Sequence, residues 1–245
     1  LNAELRTLFL EREAEGAKWR NPNPSMRVNP ELFESHFDLF EWPEPCVQKL
    51  REFCWGALSR LIGQLNGYGP DVMSRIKISA HVWYHVTRNR GFFGLHNHPM
   101  ASWSGVYCVS AGEDDGTNPD SGALHFANPL HLANMFIDAA NRKLRPPYSM
   151  AGKSFKLKAG QLVLFPSWVN HEVLPFYGRG ERITVAFNTW FNLPAEEEKR
   201  ALPPAPAKGA KKSAAKKGEA KAGKTPASPP RGAGILPGFE DEGEA

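Results

Sequence analysis

The hydrophobic pattern of the chain changes period near residue 75, and that change organises everything else. Ahead of it, apolar positions recur at helical spacing. Residues 1–20 carry them with charges between, which predicts a short amphipathic helix closed by Asn21-Pro22-Asn23-Pro24. A loop follows. Val47, Leu50, Phe53, Cys54, Ala57, Leu58, Leu61 and Ile62 then fall on one stripe, predicting a second helix over about 45–65, ended by Asn66-Gly67-Tyr68-Gly69-Pro70. From residue 75 the pattern becomes short, β-branched and aromatic. Strands are predicted over 76–86, around His96 and His98, over 122–127, 153–157, 161–165, 171–176 and 182–191. Seven or more short strands punctuated by Gly and Pro point to a sandwich or jelly roll with the two helices packed outside. The acidic, turn-rich stretch 112–121 and the loop 130–151, with a short helix in it, would border an open mouth.

Beyond Pro194 the pattern stops. Ala, Lys, Pro and Gly dominate, and hardly a large apolar residue appears before Ile235-Leu236. Such a segment cannot bury enough surface to offset its ordering entropy, so it is expected to be disordered. The chain therefore divides into a helical flank (1–70), a mainly β domain (71–193) and a tail (194–245).

Composition sharpens this only in places. The 245 residues, 41% hydrophobic and 11% aromatic, suffice for one full-sized core. No run approaches the roughly 20 apolar residues of a membrane span. Cys46, Cys54 and Cys108 lack the pairing of a zinc site or disulfide framework, which favours a reducing, intracellular compartment. The sequence opens on Leu1, so its N-terminus is expected to be incomplete and a targeting segment stays open. The net charge of +4 is uneven: eight Lys or Arg lie between Ala207 and Arg231, ahead of an acidic tip. A weak contact of this tail with nucleic acid or an acidic partner is conceivable on charge alone.

The candidate chemistry begins with His96 and His98. In an extended chain, side chains at i and i+2 share a face, and neutral imidazole is a common ligand for iron, zinc and copper. His171 is the candidate third ligand. Histidines on neighbouring strands of a jelly roll are a usual setting for a non-haem iron centre with open positions. Arg182, eleven residues after His171 at the start of a strong strand, could pair bidentately with the far carboxylate of a small dicarboxylate.

Five segments taken in order carry a resemblance. They are His96-Asn97-His98-Pro99, Ser104-Gly105-Val106-Tyr107, 121–126, 162–168 with His171, and Arg182-Ile183-Thr184-Val185-Ala186-Phe187-Asn188. Together they resemble a family of 2-oxoglutarate/Fe(II)-dependent oxygenases related to the prolyl-hydroxylase-type double-stranded β-helix enzymes, over roughly residues 35–192. The resemblance implies a double-stranded β-helix, Fe(II) at His96, His98 and His171, and 2-oxoglutarate as cosubstrate held by Arg182. Ser104, Val106 and Cys108 are expected on the strand face of His98, and Thr184, Ala186 and Asn188 on that of Arg182, so Ser104 and Asn188 join the cosubstrate set. Two departures stand out. Relatives usually carry a carboxylate where His98 stands, and Cys108 aligns with a tyrosine that often contacts 2-oxoglutarate.

Three functions follow from these residues. The leading one is hydroxylation of a substrate at the barrel mouth with 2-oxoglutarate and O2. The others are a three-histidine iron dioxygenase that uses no 2-oxoglutarate, and a non-enzymatic jelly-roll binding module. Asp114, Asp115 or Asp120 could supply a missing carboxylate, while His36, His81, His85, His125 and His131 read as structural or exposed.

Overall fold

Strand alternation decides the architecture, because the central sheet is buried on both faces. The computed structural model describes residues 1–26, 29–129, 138–141, 143–145, 149 and 151–193. The tail 194–245 lies outside the described residues, as does most of the 130–151 segment. The described elements are helices α1 (Asn2–Ala14), α2 (Pro45–Asn66) and α3 (Pro70–Met73) with nine strands. These are β1 (Leu32–Glu34), β2 (Lys77–Thr87), β3 (Phe93–His96), β4 (Trp103–Asp114), β5 (Leu124–Phe126), β6 (Lys153–Phe155), β7 (Leu162–Pro166), β8 (His171–Val173) and β9 (Gly178–Asn192). A five-stranded sheet runs β1-β2-β9-β4-β7, and a four-stranded sheet runs β3-β8-β5-β6. Every pairing is antiparallel. The two sheets make the jelly roll that the strand pattern pointed to.

Register then sorts the side chains. On β2 and β9 the pairs Trp83↔Ala186 and His85↔Thr184 face one way, while Tyr84↔Val185 and Val86↔Ile183 face the other. The second set joins Leu5, Phe9, Leu50, Cys54, Leu58 and neighbours in one large cluster, so α1 and α2 pack on the outer face of the larger sheet. Phe9 stacks on Tyr84 with ring centroids 4.2 Å apart, and the Tyr84 hydroxyl donates to the Phe9 carbonyl at 3.2 Å. Arg88 clamps Glu13 through two bonds of 2.6 and 2.8 Å, fixing the end of α1. The first set turns inward, where Val106, Cys108, Leu124, Leu157 and Phe165 form a smaller cluster between the sheets. On the outer face, Gly105 of β4 leaves room for Phe187 of the large cluster, since a Cβ there would collide with that ring.

Two local expectations change. β1 falls where a loop was expected: its three residues are all buried, so no alternation announces it, and it pairs with β2 as an edge strand. Residues 97–102 turn between β3 and β4, so alternation does not run from His98 to Ser104 along one strand. Ser104 reaches the interior from β4 alone. No described helix is long and apolar enough to cross a membrane.

Candidate metal and cosubstrate centre

One strand pair assembles most of the site. β3 and β8 align His96 directly with His171, so antiparallel register brings two imidazoles together. His98 lies just past the end of β3, where its backbone N–H donates to the Ser167 carbonyl at 2.9 Å. That bond returns its ring to the same point. Ring centroids are 4.2 Å apart for His96–His171, 4.9 Å for His96–His98 and 5.2 Å for His98–His171. Their candidate ligand atoms all lie within 4.8 Å of one another.

Tautomer and charge suit metal binding. The Nδ1 atoms of His96 and His171 sit 2.7 Å and 2.9 Å from the Gly94 and Val169 carbonyls. A carbonyl can only accept, so Nδ1 carries the proton and each Nε2 keeps a free lone pair. Burial, then repulsion from His96 and His171, pushes the His98 pKa down to about 3. Burial and His96 push that of His171 down to about 4, and burial chiefly lowers that of His96. All three are neutral near pH 7, the form that ligates metal. Among the described residues no carboxylate joins them. Asp114 is engaged by Lys156, Asp115 bonds Thr117 within its own turn, and Asp120 lies in the same exposed loop.

Arg182 sits deeper. It is 4% exposed on β9, and its Nε donates to the Gly122 carbonyl at 2.9 Å. Its Nη2 is buried without a partner among the described residues. Burial lowers its pKa, which expresses the cost of holding a guanidinium away from water. A buried cation with an unpaired donor asks for an anion. Gly122 makes room for it: φ is +63°, and a Cβ there would stand 3.0 Å from Arg182 Cδ.

The remaining expected residues line the space between. The Ser104 hydroxyl donates to Asn188 Oδ1 at 2.7 Å and lies 2.8 Å from the Ser167 hydroxyl. With its own proton used, Ser104 accepts from Ser167. Ser104 and Asn188 thus hold each other at the cavity wall. Cys108 is buried, contacts the Leu157 carbonyl at 3.8 Å, and burial raises its thiol pKa.

Sequence reasoning missed Glu34 and His85. Glu34, 1% exposed, accepts from Asn21 at 2.8 Å and from the Ser25 backbone at 3.1 Å, and sits 3.0 Å from His85 Nε2. Its acid signal was hidden in a stretch read as a loop. His85 was legible as an inward position of β2, the alternate of Trp83 two residues before.

Residues 81–188 match the model of a family described as "Putative 2OG-Fe(II) oxygenase". The match spans 108 of the 245 residues. The matched region is thus similar to 2-oxoglutarate-dependent oxygenases, enzymes that use Fe(II) and 2-oxoglutarate, and the three histidines form a cluster able to hold a metal ion. No curated protein matches the chain. Among solved structures, this oxygenase is similar to a prolyl-4-hydroxylase of Pseudomonas putida, at 20% identity and TM-score 0.47, covering 78% of this chain and 85% of the other. It is similar to a prolyl hydroxylase of Trichoplax adhaerens in complex with a hypoxia inducible factor peptide fragment, at 15% identity and TM-score 0.48, covering 83% and 82%. HygX of Streptomyces hygroscopicus with nickel and 2-oxoglutarate bound matches at 16% identity and TM-score 0.44, covering 77% and 78%.

Proposed function

We propose that this oxygenase hydroxylates a C–H bond of a substrate entering beside His98, with iron held by His96, His98 and His171 and 2-oxoglutarate held through Arg182. The observation that carries the reading is the pairing of two unfilled demands. Among the described residues, three neutral imidazoles converge without a carboxylate, and a buried guanidinium on the same barrel interior has an unpaired N–H. Bound there, iron with 2-oxoglutarate and O2 would supply the oxidising chemistry, with succinate and CO2 as co-products.

The chain's own residues hold and shield this chemistry. Carbonyls of Gly94 and Val169 fix the imidazole tautomers. Phe165 and Phe93 pack on His171 and His96 with centroids 4.7 and 4.6 Å away, excluding water from one side. On the other side a groove lined by Phe37, His81, Trp83, Leu95 and Asn97 opens onto the histidines. None of the described residues that line it is acidic, lysine or arginine. Leu95 in its lining is half exposed. Such a mouth suits an uncharged, partly apolar stretch of substrate better than a phosphate or a carboxylate.

Purified protein given Fe(II), 2-oxoglutarate and O2 should form succinate, slowly without substrate, and His171→Ala should abolish it. Iron binding without succinate from any candidate substrate would favour the second reading, a three-histidine dioxygenase that chelates its substrate directly. The all-histidine ligand set is the observation that keeps that reading open.

A further inference from the structure

Among the described residues, β2 keeps one edge open over its first half. Its register with β9 is unbroken from Lys77 to Thr87, so its backbone groups alternate between the two sides. Those of Tyr84 and Val82 face β1 and the chain after it. The Tyr84 carbonyl accepts from Ser35 N–H at 3.0 Å, and Val82 N–H donates to the Phe37 carbonyl at 2.9 Å. Ile78 and Ala80 share that parity, so their N–H and C=O groups point the same way. β1 pairs only with His85, Val86 and Thr87, and among the described residues no strand or hydrogen bond reaches Ile78 or Ala80 from that side. Proteins blunt open edges with prolines, bulges and charges. The stretch Ile78-Ser79-Ala80 has none of these, with Lys77 alone at its start.

The space beside this edge leads toward the metal centre. A cavity of about 310 Å³ is lined by Ile78, Ala80 and Val82 together with Phe37, Phe40 and Trp55. Its charged lining is two acids, Asp38 and Glu41, against one cation, Arg51. Phe37 also lines the groove of about 460 Å³ that opens onto His96 and His98. The strand itself makes the same connection. Ser79 and His81 are exposed and alternate onto the inward face with Trp83; Ser79 lines the cavity, His81 and Trp83 the groove. Past Ala80 the edge closes, because Val82 N–H is already taken by Phe37. A chain paired with Ile78 and Ala80 therefore leaves the edge at Phe37, whose ring is 38% exposed and packs 4.9 Å from Trp83.

We propose that the substrate is a polypeptide, held in extended form as an added strand on Ile78 and Ala80 and led over Phe37 into the groove beside His98. Unpaired N–H and C=O groups at strand spacing recognise the main chain of another strand, and an adjoining pocket selects among its side chains. Phe40 and Trp55 give that pocket an aromatic wall. Its acidic balance turns away the phosphate chain of a nucleic acid. The role as substrate rests on the oxygenase reading above; the docking does not.

The probe is a library of random dodecapeptides, screened on the Mn(II)-loaded full chain. Binders tighter than about 1 mM are expected. Backbone N-methylation of each binder should cost about 10-fold at every second position of the docked stretch and spare the positions between. Amide hydrogen exchange should slow at Ile78 and Ala80 on binding. Mn(II) at the histidines should broaden the peptide's NMR lines at one end, and Zn(II) should not. Ala80→Pro removes an N–H that faces away from β9, and should weaken every binder by about 3-fold or more. Should that variant fail to fold, the methylation scan and the exchange rates of the wild type decide alone. No binder, or binders without alternation in the scan and without slowing at Ile78 and Ala80, overturns the proposal. So does protection of these amides that rises with protein concentration and needs no peptide, which makes the edge a contact between two copies. A docked peptide that Mn(II) broadens at neither end overturns its role as substrate. Docking as described, in a protein that forms no succinate from 2-oxoglutarate with Fe(II) and O2, with or without peptide, refutes the oxygenase reading and the substrate role with it, and leaves the edge a peptide site.

Discussion

Replacing Arg182 by methionine separates a binding role from a structural one, because the two roles move stability in opposite directions. Among the described residues, Arg182 is a buried cation whose Nη2 has no partner and whose Nε bonds the Gly122 carbonyl. Removing it relieves a desolvation cost of several kcal/mol and leaves the Gly122 carbonyl unsatisfied, at about 1–3 kcal/mol. The free variant should therefore melt at or above the wild-type temperature. The liganded protein should behave the other way. At a hundred times Kd, 2-oxoglutarate with Mn(II) stabilises wild type by about 2.7 kcal/mol. That corresponds to a rise of roughly 5–11 °C for a domain of this size. Losing a buried charge pair costs about 3–5 kcal/mol of affinity, a factor of 100 or more, so the variant should show almost no rise at the same concentration. Differential scanning fluorimetry with and without the ligand reads both numbers. A variant that melts more than about 2 kcal/mol lower when free, yet keeps the full ligand shift, would refute the reasoning and make Arg182 a strut.

Four further outcomes follow from the same geometry. His96→Ala and His171→Ala should lose Fe(II) affinity by more than the 10–100-fold typical of losing a supporting partner, as equilibrium dialysis would show. His98→Asp, which installs the carboxylate that relatives usually carry, should keep iron bound, whereas His98→Ala should not. The metal-free protein should lose stability as pH falls from 6.5. Unfolded histidines take up protons there, and folded His171, with its pKa down at about 4, does not. That one group accounts for roughly 3 kcal/mol by pH 4, and chemical denaturation at pH 7, 5.5 and 4.5 should trace the decline. Gly105→Ala should destabilise by at least 1–3 kcal/mol through its clash with Phe187, and a melting temperature unchanged within 1 °C would contradict that packing.

What the sequence made legible follows from how local each signal is. The two helices, most strands and the inward row of β9 were readable because period and turn residues are properties of neighbours in the chain. His96 and His171 were readable as a pair only through the ordered motifs, since their meeting is set by β3–β8 register. Glu34 and His85 lie 51 positions apart and meet only because a three-residue edge strand, buried throughout, docks on β2. No periodicity marks so short a strand. His98 is instructive in the other direction. It was expected to lie on a continuous strand face with Ser104, yet a turn intervenes, and a single backbone bond to Ser167 brings it to the cluster. Ser104 and Asn188 do share the cavity, and their hydroxyl and amide are bonded to each other.

The most direct test of the central claim is an anaerobic titration of the Fe(II)-loaded protein with 2-oxoglutarate, followed by visible absorption. If His96, His98 and His171 hold iron and Arg182 holds the cosubstrate beside it, a metal-to-ligand charge-transfer band should grow and saturate at one equivalent per chain. It should be absent from His171→Ala and shifted to far higher concentration in Arg182→Met. One equivalent of tightly bound iron with no such band at any concentration of 2-oxoglutarate would contradict the account.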